Sequence, residues 1–123
     1  MSAAYRLPKN SSAEKAYRIE TIQAALKDCT IIPIKVMELC LRALRLTADS
    51  IGKTNLNVLS DLGVAAACIK AAAQGAWLNV LINLKSLRDT GFASEHREKA
   101  EFFLNETLKA ADDIYNNVER MLN

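Results

Sequence analysis

The feature that most constrains this chain is an apolar stretch from Asp61 to Leu84, in which Lys70 is the only charged residue after the start. The stretch is rich in alanine and contains no proline, and both properties favour an α-helix. A helix with so little polar surface is normally buried on most of its sides. Other helices are therefore expected to pack around this one, and its polar exceptions, Gln74, Asn79 and Asn83, need an explanation.

The segment before this stretch predicts two helices separated at a proline. Ser11 and Glu14 have the S-x-x-E spacing of a capping box, which indicates that the first helix begins there. Pro33 falls within an apolar run, and we predict a break at this residue because proline lacks the N–H that a helix interior needs. Since proline suits a first turn, a second helix is expected to start at Pro33 and to end near Gly52.

The signals for the remaining helix ends lie on both sides of the apolar stretch. Ser60–Asp61 is a predicted cap for the third helix, which is expected to stop near Gly91. Ser94 is the predicted cap of a fourth helix that runs to about Leu122. Because no convincing strand and no internal repeat is present, we predict an all-α bundle of about four long helices in a single domain, residues 1–123.

Composition excludes several classes of function. The chain has 16 Lys and Arg against 14 Asp and Glu, which gives no electrostatic case for a nucleic-acid surface. Its three cysteines, Cys29, Cys40 and Cys68, are widely spaced and are expected to be reduced thiols of a cytoplasmic protein. A single histidine and the absence of a C-x-x-C motif argue against a zinc site, so no metal is expected.

The apolar stretch also raises the question of a membrane span. Only 14 residues lie between Lys70 and Lys85, and three of them are amides. A span needs roughly 20 predominantly apolar residues. We therefore expect no membrane association. The N-terminus has no apolar core of the signal-peptide type, and the sequence favours a cytoplasmic location.

Helical spacing arranges the polar residues of the third helix. Asp61 and Asn79 point the same way, because eighteen residues make about five turns, but they lie roughly 27 Å apart along the axis. They cannot share a pocket within one subunit, whereas Asn79 and Asn83, one turn or about 6 Å apart, can. If two copies pack antiparallel, Asp61 of one copy approaches the amides of the other.

Small residues form a second pattern on the same helix. A ridge recurs every four residues and lets another helix approach closely, so we predict that it packs on a partner helix; its members are Gly63, Ala67, Ala71 and Gly75.

Structural explanations compete with functional ones at each polar position. A buried asparagine in a bundle is often a register device with satisfied hydrogen bonds, which applies to Asn79 and Asn83. Asp61 also fits a carboxylate at a helix start, and Lys85 fits a cation at a helix end. His96 is expected to be solvated. Four large side chains at helical spacing are expected in the core: Met37, Trp77, Phe102 and Phe103.

Three segments in order resemble a known family. They are A-Y-R-L-P-K from Ala4, N-x-N-x-x-S-D-x-G-V-A from Asn55, and G-A-x-x-N-V-x-I-N-L from Gly75. Together with the helical pattern between them, they resemble the formiminotransferase-cyclodeaminase family, specifically its cyclodeaminase and methenyltetrahydrofolate cyclohydrolase-like domain. The resemblance covers essentially the whole chain.

The resemblance implies a helical, cytoplasmic, homodimeric enzyme of folate one-carbon metabolism. Its implied reaction is either formiminotetrahydrofolate cyclodeaminase, a lyase activity of histidine degradation, or hydrolysis of the methenyl form. A tetrahydrofolate derivative is then the substrate, with no metal. In this setting Asp61 and Asn79 become the candidate catalytic residues. The candidate substrate-binding residues are amides, a hydroxyl and cations that would hold the pterin edge or the glutamate tail: Asn55, Asn57, Ser60, Asn83, Arg6, Lys9 and Lys85.

The chain departs from the family pattern at its beginning. Family members usually carry a preceding Gly-rich segment of the G-G-G-S type with further helices, and Met1 falls where that pattern is already under way. Surface that those helices would cover is expected to favour oligomerisation. Two alternatives to the enzyme stay open: a non-catalytic helical self-association module derived from the family, and a helical scaffold that binds a partner helix.

Overall fold

The computed structural model describes all residues from Met1 to Asn123, and every regular element in it is helical. This confirms the predicted all-α class. A short N-terminal helix is followed by three long ones: α1 (Ser2–Tyr5), α2 (Ser12–Ser50), α3 (Leu59–Ser86) and α4 (Thr90–Leu122). A single 3₁₀ turn, Leu56–Val58, leads into α3.

Both predicted ends of the first long segment are confirmed. The Ser11 hydroxyl accepts from the backbone N–H of Glu14 at 3.1 Å, and the Glu14 carboxylate accepts from the backbone N–H of Ser11 at 3.2 Å. These two bonds form the capping box that the S-x-x-E spacing predicted. At the other end Gly52 has φ +79°, a left-handed conformation that glycine adopts without steric cost.

The predicted break at Pro33 is wrong, because α2 runs through this residue as one helix of 39 residues. The proline is buried, and so are Leu26 before it and Ile34 and Met37 after it, so packing holds the helix together on both sides of the ring. The carbonyl that Pro33 leaves without its usual donor, that of Cys29, accepts a hydrogen bond from Asn83 on α3. Tertiary contacts therefore compensate the local cost of the proline.

The predicted caps of the last two helices are also wrong. α3 begins at Leu59, before Ser60–Asp61, and its first residues continue from the 3₁₀ turn without a side-chain cap. α4 begins at Thr90, where Asp89 Oδ1 accepts from Phe92 N at 3.0 Å. Ser94 and the predicted stop at Gly91 therefore lie inside α4. An aspartate is as good a cap as a serine, and the earlier of the two signals prevails.

The core lies between the three long helices in two apolar clusters. One joins the middle of α2 to the second half of α3, and the other joins the end of α2 to the first half of α3 and to α4. Met37 is fully buried, as predicted, while Trp77 and Phe103 are half-buried against the first cluster. Phe102 is exposed, contrary to prediction, because it points away from that cluster on α4. The buried residues are Ile34, Met37, Ala76, Val80, Leu84 and Ala100 in the first cluster, and Leu44, Leu59, Ala66, Ala111, Ile114 and Val118 in the second.

One side of α3 has no partner within the chain. Of the small-residue ridge only Gly63 packs closely, since a Cβ built there would lie 3.1 Å from Val118 Cγ1. Further along the ridge a Cβ at Gly75 would meet nothing within 4 Å. Large apolar side chains flank the open part of the ridge, and they are exposed: Val64, Leu78 and Ile82. Ala67 and Ala71 are exposed and line a hollow of about 270 Å³ beside α4, so the predicted helix partner makes close contact only at the first residue of the ridge. We call this side, from Val64 to Ile82, the open face of α3.

The segment Leu56–Ser86 is long and apolar enough to cross a membrane when length and composition alone are considered. Counting only the residues between Lys70 and Lys85 gives too short an apolar segment, because one lysine does not end an apolar helix. Core helices of soluble proteins meet the same two criteria. Only 22% of the apolar window is buried within the chain, so most of its surface is left for something else to cover.

Candidate functional site

A groove of about 450 Å³ lies between α2 and α3 and is the best candidate for a ligand site. Its volume is in the range of small-molecule sites, and most of its lining is apolar with a few polar groups, which is the usual composition of such sites. Four lining residues come from each helix: Cys29, Ile32, Pro33 and Val36 from α2, and Ala72, Ala76, Asn79 and Asn83 from α3.

The two amides of α3 reach the groove together, as their spacing predicted. Asn79 and Asn83 are four residues apart on a continuous helix, so their side chains lie one above the other on the same side. The small neighbours Ala72 and Ala76 leave room beside them, and this gives the groove its depth. The groove therefore combines an apolar floor with a short column of amides on one wall.

Hydrogen bonds fix which way the amides face. Asn83 Nδ2 donates to the Cys29 carbonyl at 2.8 Å, and Asn79 Nδ2 donates to the Gly75 carbonyl at 3.1 Å. A carbonyl oxygen can only accept, so in both side chains the nitrogen must be the atom that faces it. Each Oδ1 is then left without a hydrogen-bond partner in the chain. The groove consequently offers two acceptor oxygens, which suit the N–H donors of a ligand edge.

The groove contains one ionisable group, the thiol of Cys29. All three cysteines are unpaired, and Cys40 is buried elsewhere in α2, where burial raises the pKa of its thiol. A thiol with a raised pKa holds less of the nucleophilic thiolate, which argues against a catalytic role for Cys40. No carboxylate and no cation of this chain lines the groove.

The predicted catalytic carboxylate lies far from the groove. Asp61 is exposed in the first turn of α3, where it complements the positive end of the helix dipole as the sequence indicated. At about 1.5 Å per residue it lies roughly 27 Å along the axis from Asn79. The structure brings Asn79 and Asn83 together and leaves Asp61 at the other end of the helix.

The other predicted substrate-binding residues near Asp61 lie around the start of α3. The side-chain oxygen of Asn55 accepts from Asn57 N at 3.0 Å and thereby begins the 3₁₀ turn. Ser60 lines a separate hollow of about 290 Å³ between α3 and the end of α4. These residues share one end of the bundle with Asp61 and do not reach the groove.

The predicted cations lie at the opposite end, which is the end nearer Asn83. Arg6, Lys9 and Lys85 are all exposed. Ala4 packs with Ile22 and Leu26 of α2 and against Leu87, which places the N-terminal segment beside the end of α3. Lys85 is the basic residue in the last turn of α3, where it also complements the helix dipole.

No cluster of three or more His, Cys, Asp or Glu side chains is placed to hold a metal ion. His96 is half-buried, with its Nδ1 2.9 Å from the Phe92 carbonyl and its ring stacked on that of Phe92 at 3.7 Å between centroids. The prediction that His96 is solvated is therefore wrong. Its nearest partner is one helical turn away, a relation that the i, i+4 spacing makes visible in the sequence.

The contact that sequence reasoning missed is the bond between Asn83 and the Cys29 carbonyl. The signal was present, because a proline inside a helical pattern leaves the carbonyl four residues earlier without a donor. Only the three-dimensional arrangement shows that the amide of another helix fills this gap.

Comparison with known proteins identifies relatives over most of the chain. The sequence profile described as formiminotransferase-cyclodeaminase matches residues 1–102. A methenyltetrahydrofolate cyclohydrolase from Methylorubrum extorquens is 40% identical over 120 residues, which is 98% of this chain and 58% of that protein. A formimidoyltransferase-cyclodeaminase from Rattus norvegicus is 32% identical over 116 residues, or 94% of this chain and 21% of that protein. A protein of the same name from Gallus gallus is 35% identical over 112 residues, or 88% of this chain and 20% of that protein.

These matches cover nearly all of the present chain but much less of the relatives. The chain spans somewhat more than half of the bacterial relative's length and about a fifth of the two animal proteins. The groove, both of its amides and Asp61 all lie within the matched residues 1–102.

Proposed function

The chain belongs to the formiminotransferase-cyclodeaminase family, and from this premise we propose that it is a folate one-carbon enzyme that consumes or forms 5,10-methenyltetrahydrofolate. The observation that carries the proposal is the match of 40% identity over 98% of the chain to a methenyltetrahydrofolate cyclohydrolase. This match favours the hydrolytic reaction as the first candidate. The matches to formimidoyltransferase-cyclodeaminases support cyclodeamination as the second.

Both reactions involve 5,10-methenyltetrahydrofolate, which is the substrate of the hydrolysis and the product of the cyclodeamination. In hydrolysis, water adds to the one-carbon bridge, one C–N bond opens, and a formyl group and a proton result. In cyclodeamination, N10 of the folate attacks the formimino carbon, the C–N bond to the formimino nitrogen breaks, and ammonia leaves after that nitrogen is protonated. Each reaction requires the folate to be oriented and a proton to be moved, and neither step as written needs a redox change.

The groove between α2 and α3 is the proposed seat of the pterin ring. Its apolar floor suits a flat heteroaromatic ring, and the free Oδ1 atom of Asn79 suits an N–H donor on that ring's edge. In this arrangement Asn79 orients the substrate, while Ile32 and Val36 limit the access of water from one side.

The cations at the end of the bundle nearer Asn83 are proposed to hold the acidic glutamate tail of the folate. Arg6 and Lys9 lie on the segment that packs beside the end of α3, the end at which Asn83 stands. Lys85 is two residues beyond Asn83, and two residues turn a helix by about 200°. It therefore starts from the opposite side of α3, and we place it at the outer end of the tail.

The proton-transfer group is proposed to come from a second copy of the chain. The open face of α3 is apolar, and its small residues Ala67, Ala71 and Gly75 leave room for a close helix approach. Antiparallel packing of two such faces would bring Asp61 of one copy toward Asn79 of the other. The Asn55, Asn57 and Ser60 group would arrive with it, so each site would draw on both copies.

The alternative is a non-catalytic self-association module that has kept the family's helices. The open face of α3 supports this alternative equally well, because self-association alone would cover it. A cytoplasmic location is part of both proposals and agrees with the three unpaired thiols. Turnover therefore separates the enzyme from the module.

The direct test follows the absorbance of 5,10-methenyltetrahydrofolate in two assays with the 123-residue chain. A loss of the methenyl form faster than in buffer supports the hydrolytic reaction, and its formation from 5-formiminotetrahydrofolate supports cyclodeamination. Replacing Asn79 with Leu is expected to lower turnover by about tenfold or more, since one well-placed polar contact contributes on this scale. The absence of both turnover and folate binding would refute the enzyme and leave the module.

A shared site is tested by mixing two impaired variants. Asp61→Asn and Asn79→Leu should each keep at most about a tenth of the wild-type activity alone. Mixed after unfolding and refolding together, they should recover up to about a quarter of the wild-type activity, because random pairing makes half of the dimers mixed and each mixed dimer has one intact site. Analytical ultracentrifugation checks that dimers form. No recovery in a mixture that contains mixed dimers would contradict the shared site.

A further inference from the structure

We propose that Asn83 is a positioning residue whose side-chain amide takes the place of the N–H that Pro33 lacks, and that this bond fixes the spacing between the two walls of the groove. The inference deepens the function proposed above, since it assigns to one groove residue a role other than direct contact with folate. It rests on the geometry of three residues: Cys29, Pro33 and Asn83.

The argument starts with the gap that proline makes in α2. In a helix the N–H of residue 33 would donate to the carbonyl of residue 29, and proline has no N–H to give. The ring also presses on that carbonyl and turns it away from the helix axis. Pro33 is buried and Cys29 is half-buried, so the freed oxygen is partly shielded from solvent. A buried carbonyl without a donor is costly and is rarely found in native structures.

Asn83 supplies the missing donor from the facing helix. Its Nδ2 lies 2.8 Å from the Cys29 oxygen, which is a short distance for an N–H···O bond. The bond joins residues 54 positions apart in sequence. Among the residues that line the groove, this is the only hydrogen bond that crosses from one helix to the other. Without it the two walls would meet at this point through apolar contacts alone, and the next hydrogen bond between the two helices would be that from Gln23 to the Ser86 carbonyl.

Asn79 is the natural comparison, because it is also an amide on the same wall. Its Nδ2 donates to Gly75 of its own helix, and that carbonyl has its own backbone donor four residues later. Loss of the Asn79 side chain therefore leaves no gap and does not separate the walls. The effect of removing the side chain on stability should therefore depend on Pro33 for Asn83 and should not depend on it for Asn79.

The test is a double-mutant cycle on the full chain with Asn83→Ala, Pro33→Ala and the double variant. Asn83→Ala should lower the folding equilibrium constant by about ten- to a hundredfold, the scale for a buried group left unpaired. Pro33→Ala restores the N–H within α2. In that background the same Asn83→Ala change should lower the folding equilibrium constant only a few fold. Chemical denaturation measures all four proteins, and Asn79→Ala in both backgrounds is the control, with equal effects expected.

Two further readouts separate positioning from ligand contact. Calorimetric titration with 5-formyltetrahydrofolate, a stable folate, should show weaker binding in Asn83→Ala and recovery to within about threefold in the double variant. The rate at which iodoacetamide alkylates Cys29, followed by peptide mass spectrometry, reports the wall spacing without folate. The alkylation rate should rise in Asn83→Ala and return to the wild-type rate in the double variant. If Asn83→Ala does not fold, folding of the double variant is itself the rescue.

Each contrary result has a definite meaning. Equal costs of Asn83→Ala with and without Pro33 would overturn the proposal, because the amide would not be replacing the proline's N–H. Recovery of stability without recovery of folate binding would also overturn it, because Asn83 would then contact the ligand directly. If the wild-type chain binds no folate, the proposed function fails, while the stability cycle and the Cys29 alkylation rate still decide whether Asn83 sets the spacing.

Discussion

The packed face of α3 and its open face are nearly equal in composition and opposite in environment. On the packed face Ala66, Ala73 and Val80 are fully buried between α2 and α4. On the open face Leu78 keeps 66% of its surface exposed, and Val64 and Ile82 are similar. Both faces are built of alanine, glycine and aliphatic residues. The comparison teaches that apolar composition tells how much of a helix needs cover, but not which face its own chain covers.

The groove lies along the boundary between these two faces. Residues 64 and 66, which belong to opposite faces, are separated by about 200° around the helix. Ala72, Asn79 and Asn83 stand at the edge where the contact with α2 ends. A site at such an edge is open to a second chain on one side and held by the fold on the other. This position is the one that the proposed contribution from a second copy requires.

The largest effect expected from this comparison is a difference between two leucines on one helix. Leu84 is 6% exposed and Leu78 is 66% exposed. Leu84→Ala should cost about 2–5 kcal/mol of unfolding free energy, because it leaves a cavity in the first core cluster. Leu78→Ala should stay within about 0.5 kcal/mol in a dilute, monomeric sample. Chemical denaturation at low protein concentration measures both.

The same pair also tests self-association. At high concentration Leu78→Ala should reduce the dimer fraction seen by sedimentation, while the surviving folded fraction of Leu84→Ala keeps its dimers. Equal losses of stability in the dilute samples would mean that the open face is buried within the monomer, and the comparison would fail.

The second effect, near 1 kcal/mol, contrasts two glycines of the small-residue ridge. A Cβ at Gly75 meets nothing within 4 Å, so Gly75→Ala should stabilise the monomer by about 0.5–1 kcal/mol through helix propensity. Gly63→Ala gains the same propensity, but its Cβ would lie 3.1 Å from Val118 Cγ1. Its net gain should therefore be smaller than that of Gly75→Ala. Thermal and chemical unfolding of the two variants in parallel give the ranking.

Protein concentration sharpens this contrast. If two copies meet through the open face, the advantage of Gly75→Ala should shrink or reverse as dimers form, because the added methyl group then lies at a close helix contact. The Gly63→Ala result should not change with concentration. A concentration dependence at Gly63 and none at Gly75 would place the interface elsewhere.

Local signals in the sequence were enough for the features that depend on neighbours in the chain. The capping box at Ser11 and Glu14 and the left-handed Gly52 need only a few residues, and both were predicted. The shared groove of Asn79 and Asn83 followed from helical geometry alone. Family resemblance added the expected chemistry, and it did so from the segments that begin at Ala4, Asn55 and Gly75.

The sequence failed where a distant residue changes the local balance. Pro33 does not end α2, because Asn83, fifty residues later, supplies the hydrogen bond that the proline removes. The start of α4 at Thr90, capped by Asp89, was not predicted because several residues nearby can cap a helix, and contacts with α2 favour the first of them. The spacing of its small residues predicts a packed ridge on the open face of α3, and this fails for the same reason, since spacing describes a face but not its neighbour.

The smallest expected effect concerns the ion pair between Asp89, which caps α4, and Lys27 of α2. Asp89 lies 2.6 Å from Lys27 Nζ of α2 while its other oxygen caps α4. The Lys27 hydrogen bond, followed by that from Phe92 N, lowers the pKa of Asp89 below its ordinary value. A carboxylate with a lowered pKa stabilises the folded state above its ordinary pKa, and this stabilisation is lost as pH falls through the lowered value.

Asp89→Asn keeps an oxygen that can cap α4 but loses the charge, so the variant should be slightly less stable than the wild type at neutral pH. The difference should begin to shrink as pH falls below about 4, the ordinary pKa of an aspartate, and should be lost as pH passes the lowered pKa of the folded state. Melting temperatures between about pH 7 and pH 2 measure this, and added salt should also reduce the difference because the pair is exposed. Glu101→Gln removes a longer pair with Arg97, at 3.6 Å within α4 alone, and should show a weaker dependence. If the melting temperatures of both variants depend on pH in the same way, the pair of Asp89 with Lys27 contributes nothing specific, and the packed face of α3 is held by its apolar contacts alone.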